Sequence, residues 1–155
     1  MEIIEIVSNS KRKIVISSVR DEELNVLTKR RYSFIWKTLK ESAAIYKLQI
    51  DGEDDILGAM ALVDFPNEFR IEIKLLASSK ENVGKIKKYE GIAGCLIAFC
   101  CRESIKKYGY MACVSLIPKT ELKHHYINKY GMIDAGWQLY LDGKGLHNII
   151  KKYSL

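Results

Sequence analysis

The order strand, long connection, apolar helix, strand between residues 69 and 117 constrains this chain more than any other feature. Residues 69–76 (FRIEIKLL) alternate as a strand does, with Ile71, Ile73 and Leu75 expected on one face and Glu72, Lys74 and Leu76 on the other. Residues 77–90 are polar and lysine-rich, and residues 91–107 form an apolar helix stopped by Gly109. Residues 110–117 are a second strong strand, ended by Pro118. Two strands joined through a crossover helix run parallel, and the crossover is right-handed.

Upstream, residues 45–50 and 56–65 read as strands around the polar turn Asp51-Gly52-Glu53-Asp54-Asp55, and Pro66-Asn67 closes the second. With residues 69–76 they form a three-stranded antiparallel meander. Downstream, Thr120 is expected to cap a helix over 121–130 that ends at Gly131. Trp137, Leu139 and Leu141 then alternate as a strand, and residues 146–153 form a last helix with Ile149, Ile150 and Tyr153 as its apolar side. The N-terminal third shows a short strand at 14–18 and a helix opening at Asp21-Glu22-Glu23-Leu24. Tyr32, Phe34 and Trp36 lie two apart, a strand-like period. The fold class is α/β, a mixed central sheet in which an antiparallel meander precedes a βαβ unit. With 155 residues and no internal repeat or linker, a single domain over residues 1–155 is expected.

Twenty-five Lys and Arg against nineteen Asp and Glu give a net charge of +6, which favours anionic partners such as nucleic acid, a phosphorylated cofactor or an acidic protein. No apolar run approaches the roughly 18 residues of a membrane span, and Met1 leads into the charged alternation Glu2-Ile3-Ile4-Glu5-Ile6. A cytoplasmic protein without a membrane partner is the expectation. Cys95, Cys100, Cys101 and Cys113 contain no Cys-x-x-Cys pair and read as small hydrophobes in a reducing compartment. His124 and His125 are adjacent and point apart on a helix, so no metal site is expected.

The chemistry concentrates in Lys85-Ile86-Lys87-Lys88-Tyr89-Glu90-Gly91-Ile92-Ala93-Gly94. Glycines and a small alanine leave the backbone uncovered where the helix begins, and a helix's first N–H groups can cradle phosphate oxygens. Glu90 is discordant there, since its charge repels a phosphate unless it points away. Neither a nucleotide-hydrolysing P-loop nor a Gly-x-Gly-x-x-Gly dinucleotide fingerprint is present.

Lys88-Tyr89-Glu90-Gly91-Ile92-Ala93 resembles the acyl-coenzyme A signature of the GNAT N-acetyltransferases, Arg/Gln-x-x-Gly-x-Gly/Ala, placed as in that family after a meander and before an apolar helix. Tyr130-Gly131-Met132 is similar to the family's later Tyr/Leu-Gly-Phe segment, and the resemblance covers residues 45–141, about two thirds of the chain. It implies a GNAT-like topology with acetyl-CoA as cosubstrate. The pantetheine arm would lie along Leu75, Leu76 and Ala77, and the pyrophosphate on the backbone from Lys88 and Tyr89 through Gly91, Ile92, Ala93 and Gly94. Three departures stand out: lysine starts the signature, the 77–87 connection is long enough to form a lid or partner surface, and the family's usual tyrosine position is Ile127, with Tyr126 one residue earlier. The chain also ends in a helix where the family usually adds a strand.

The resemblance implies direct acetyl transfer to an amine. Glu72 is the first candidate for general base or amine-binding carboxylate, and Tyr126 for the acid that protonates the leaving thiolate. The acceptor is unidentified: Glu72 favours a cationic amine and the net charge an acidic one. Lys29-Arg30-Arg31 and the aromatic alternation after them support a different reading, a basic nucleic-acid or protein interaction module with an additional anionic partner. A non-catalytic acetyl-CoA-binding protein is a third. The last helix either caps the sheet or meets another copy as a homodimer.

Overall fold

The computed structural model describes residues 1–153; the last two residues of the expected domain, to Leu155, lie outside the described residues. Nine strands form one mixed sheet. The meander stands as expected: β3 (Ala44–Ile50), β4 (Ile56–Phe65) and β5 (Arg70–Ser78) are successive antiparallel neighbours. Two further strands, β1 (Glu2–Glu5) and β2 (Ser10–Ser18), extend it on the β3 side. A two-residue strand, β6 (Tyr89–Glu90), pairs with β1 and so ties the N-terminus to the signature segment. On the other side β7 (Cys113–Leu116) is parallel to β5, as the crossover requires. Beyond it lie β9 (Leu139–Asp142) and the short β8 (Ile133–Asp134), both in antiparallel pairs.

The crossover helix α2 (Ile92–Tyr108) is buried along most of its circumference. One core lies between it and the sheet, and it takes in Leu48, Met60, Leu96, Ile97, Val114, Leu139 and Leu141. The last helix, α4 (Gly143–Tyr153), packs on α2 through Leu146 and Ile149, so it caps the sheet. On the opposite face a smaller core forms where the segment after β2 wraps over Ala59, Ala61 and Ala77. Those small side chains leave room for Tyr32 and Trp36, both fully buried. Tyr32 donates its hydroxyl to Ile56 O (2.7 Å), and Trp36 donates Nε1 to Tyr32 O (3.2 Å). The expected strand period at 32–36 is therefore overturned: a four-residue helix, α1 (Lys29–Tyr32), and a 3-10 turn at Lys37–Leu39 hold these aromatics.

Three other expectations change. Thr120 lies in a 3-10 turn and caps nothing; α3 (Lys123–Tyr130) starts after it and ends at Gly131, which is left-handed. Trp137 is not in the last strand but 88% exposed before it. The largest change is in β5. Leu62 pairs with Ile73 and Ala61 with Leu75, so Lys74 is an extra, bulged residue. A one-residue slip reverses every later side chain. Accordingly Ile71, Ile73 and Leu76 join the α2-side core, while Leu75 and Ala77 join the other.

Gly58 on β4 sets how closely α2 approaches the sheet. A Cβ there would lie 2.6 Å from Ile92 Cγ2 and 3.2 Å from both Ala77 O and Leu96 Cδ1. Gly58→Ala is expected to cost about 1–3 kcal/mol by overpacking, read from urea unfolding. An unchanged midpoint would show that the start of α2 yields freely.

Candidate active site

β5 and β7 are paired only from Arg70 and Cys113 to Ile73 and Leu116. Past that point β5 continues to Ser78 against β4, whereas β7 ends and Pro118 has no N–H with which to extend a ladder. The bulge at Lys74 falls at this divergence, so the two strands open into a cleft. A cavity of about 320 Å³ occupies the opening, walled by Leu75, Leu76 and Ala77 from β5, by residues 116–119, and by Ser33 and Phe34. A second cavity of about 260 Å³ lies at the start of α2, walled by Tyr89, Gly91, Ile92 and Ala93 with Lys87 and Lys129. Leu76, Ser78, Val83, Leu122 and Tyr126 border both, so the two cavities adjoin along one cleft.

The long connection after β5 is a wall of that cleft. Ser79 N–H bonds Leu57 O (2.8 Å), buried Asn82 donates Nδ2 to Ser79 Oγ (2.8 Å), and Asn82 Oδ1 accepts from Tyr89 N–H (3.0 Å). These bonds place Val83 over both cavities. Arg31 reinforces the anchor: its guanidinium bonds Glu81 on this connection and is bidentate to Asp55 (2.8 and 3.0 Å). One residue of the basic cluster is thus spent inside the fold, which weakens the case for a nucleic-acid surface there.

At the start of α2, Gly91 has φ 102° and no side-chain cap supplies the first turn. The first capping bond runs from Cys95 N–H to Gly91 O (3.0 Å), so the N–H groups of Ile92, Ala93 and Gly94 have no intrahelical acceptor. Glu90 is not free to repel an anion. Lys87 bonds it at 2.5 Å and Lys129 at 3.2 Å, and the Lys87 ammonium holds its carboxyl below the usual range. Two lysines, one carboxylate and a helix N-terminus leave this cavity net positive. Lys129 was not singled out from the sequence; its place one turn after His125 on α3, facing Glu90, is a tertiary fact.

Two expected cofactor residues sit elsewhere. The Lys88 side chain does not border the cleft; its Nζ lies 5.4 Å from the Tyr89 ring centroid, and its charge acts on Glu5. Gly94 is also outside the lining, beneath the ring of Tyr153, where a Cβ would meet ring atoms at 2.2 Å. Its glycine serves the docking of α4. The other expected cofactor residues, Leu75, Leu76, Ala77, Tyr89, Gly91, Ile92 and Ala93, all border the cleft.

Of the two catalytic candidates, Tyr126 faces the cleft where the cavities join, and burial raises its hydroxyl pKa, so it stays protonated. Glu72 does not border either cavity. It is 7% exposed and its carboxylate lies 3.7 Å from Arg70 Nη1; the same guanidinium bonds Glu68 more closely (2.6 and 2.9 Å), donates to Ser115 Oγ (2.8 Å) and stacks on the Phe65 ring (4.0 Å). Arg70 is two residues away on the same strand face, a signal the sequence did carry. His125 borders the α2-side cavity, and no cysteine borders either. Burial pushes the Cys95 thiol up to about 11 and Cys101 to about 12, which makes both poor nucleophiles.

No family profile matches the chain, and no curated protein sequence does. Solved structures do. A spermidine N-acetyltransferase chimera from Vibrio cholerae and human sequences superposes with a TM-score of 0.66 at 10% identity, covering 88% of this chain and 99% of that one. A Bacillus subtilis acetyltransferase in complex with CoA gives 0.54 at 17% identity, over 86% and 99%. The ribosomal-protein-S18-alanine N-acetyltransferase of Escherichia coli gives 0.60 at 15%, over 83% and 92%. The chain therefore has the GNAT N-acetyltransferase fold, in agreement with the signature. Among the described residues no helix is long and apolar enough to cross a membrane.

Proposed function

We propose that this protein is an N-acetyltransferase that moves an acetyl group from acetyl-CoA directly to an amine. The observation that carries the reading is the pair of adjoining cavities from the uncapped start of α2 to the divergence of β5 and β7, with Tyr126 bordering both. The fold shared with N-acetyltransferases, one of them holding CoA, supports it.

Acetyl-CoA would supply an activated thioester. The N–H groups of Ile92 and Ala93, with Lys87 and Lys129 beside them, suit the diphosphate. Residues 75–77 have no strand partner on the β7 side, so their peptide groups are available to the pantetheine amides, and an N–H near Leu76 to the developing oxyanion. The acceptor enters from the Phe34 and Lys119 end. Its nitrogen forms the new C–N bond as the C–S bond breaks, and Tyr126 donates its proton to the departing thiolate. With no carboxylate among the residues walling the acceptor end, the amine's proton leaves to solvent, and Lys74 and Lys119 disfavour the ammonium form. Glu72, held by Arg70, is not the base in this scheme.

Incubation with acetyl-CoA and a panel of primary amines tests the reading. Amine-dependent release of the CoA thiol, with the acetylated amine identified by mass, is expected. Binding of acetyl-CoA without turnover of any amine would instead favour a sensing or scaffolding role.

A further inference from the structure

Resting on the transferase reading, we propose that the acceptor is a small amine bearing an anionic group, a carboxylate or phosphate, on an apolar body. The acceptor cavity carries charge of one sign only. Among the described residues its only charged walls are Lys74 and Lys119, and no acidic residue borders it. Among the described residues neither lysine has a carboxylate within 4.0 Å, unlike Lys87 and Lys129, which share Glu90.

Both lysines are placed there by the fold. Lys74 is the residue inserted by the β5 bulge, at the point where β7 departs. Lys119 follows Pro118 on the opposite lip, its Nζ 5.2 Å from the centroid of the Phe34 ring. Next to Phe34, Ser33 is left-handed (φ 73°), and its hydroxyl has no hydrogen-bond partner among the described residues. Phe34, Leu75, Ile117 and Pro118 make the remaining walls apolar.

Two ammonium groups without a carboxylate partner and a free hydroxyl, all three on exposed residues at the rim of an otherwise apolar cavity, match an anion by charge-assisted hydrogen bonds. The same pair repels a polycation, which would find no carboxylate to receive it. With the pantetheine arm along residues 75–77, the part of the about 320 Å³ cavity left toward Phe34 and Lys119 suits a small molecule. The cationic acceptor favoured by Glu72 in the sequence loses its support, because that carboxylate is turned to Arg70.

The test compares matched amines with acetyl-CoA: phenylalanine against phenylalaninamide, phosphoethanolamine against ethanolamine, and spermidine as the polycation. At least one anionic member is expected to exceed its neutral match and spermidine about tenfold or more in kcat/KM. The two arms distinguish carboxylate from phosphate. In the doubly substituted variant Lys74→Gln, Lys119→Gln that advantage is expected to collapse through a raised KM for the anionic member. Equal or better use of spermidine or of the neutral matches overturns the proposal, as does failure of both anionic amines. Acetyl-CoA binding, measured alongside by calorimetry, separates the readings: its absence breaks the transferase assignment itself, and its presence confines the failure to the acceptor.

Discussion

Tyr126→Phe is expected to lower kcat for acetyl transfer by roughly 10²-fold while leaving acetyl-CoA binding intact. The substitution removes one oxygen and keeps the ring that packs against the α2-side core, so the fold should hold. The hydroxyl has no hydrogen-bond partner among the described residues, although it is half-buried in the cleft wall. Burial raises its pKa, so it carries its proton at neutral pH and can give it to a thiolate. Steady-state kinetics with the best amine, beside calorimetry with acetyl-CoA, reads the two effects separately. A kcat within twofold of the parent would remove Tyr126 from the chemistry and return the leaving thiolate to solvent.

The second large effect lies outside the cleft. Glu23→Gln is expected to destabilise the protein by about 3 kcal/mol at pH 7, because it strands Lys47, which is only 8% exposed on β3. Glu23 pairs with Lys47 and also accepts Arg20 N–H (3.0 Å) and Arg20 Nε (3.0 Å), which pins the segment after β2 onto the sheet. Burial alone would raise its carboxyl; the Lys47 ammonium and the Arg20 donors outweigh it and hold the group down at about 2, from 4.5. A depressed carboxyl stabilises the fold above its unfolded value and is lost as pH falls through the folded one. Stability should therefore decline between about pH 4.5 and about pH 2, and the Glu23→Gln variant should lack this part of the decline. Replacing both partners with apolar residues, Glu23→Leu with Lys47→Met, should cost much less than the single change. Urea unfolding at pH 7 and pH 3 measures all of this, and a single-variant cost below about 0.5 kcal/mol would mark the pair as a weak surface contact.

Much of the fold is legible in local pattern. Alternation and the Asp51–Asp55 turn place the meander, and the apolar run between Gly91 and Gly109 places α2. The parallel pairing of β5 with β7 follows from the crossover between them. What pattern could not show was a break in the pattern itself. Lys74 looks like any polar residue on an alternating strand, and only the pairing with β4 reveals that it is extra. Tyr32 and Trp36 mimic a strand period with Phe34 between them, yet their burial is set by Ala59, Ala61 and Ala77 on distant strands.

In the site, the peptide segments were legible and the charges were not. Residues 75–77 and 91–93 can be named because backbone sites depend on local conformation and small side chains. Gly94 looked like part of the same set, and its neighbour Tyr153 is 59 positions away, invisible to a motif. Glu90 reads as obstructive in the motif, yet Lys129 from α3 pairs with it, and the Lys88 side chain lies by the Tyr89 ring instead of bordering either cavity. The positive charge divides in three: Lys87 and Lys129 border the α2-side cavity, Lys74 and Lys119 the other, and Arg31 bonds Glu81 on the connection that walls them.

Occupation of this cleft by acetyl-CoA is the premise of every role proposed for its residues. Thermal unfolding with saturating acetyl-CoA is the most direct measurement, since a ligand that binds only the folded chain raises the midpoint. At about 100 times its dissociation constant the gain is about 2.7 kcal/mol, or about 5–10 °C for a domain of this size. That rise, with one site per chain by calorimetry, is the predicted result. An unshifted midpoint at millimolar acetyl-CoA in a folded sample would contradict it.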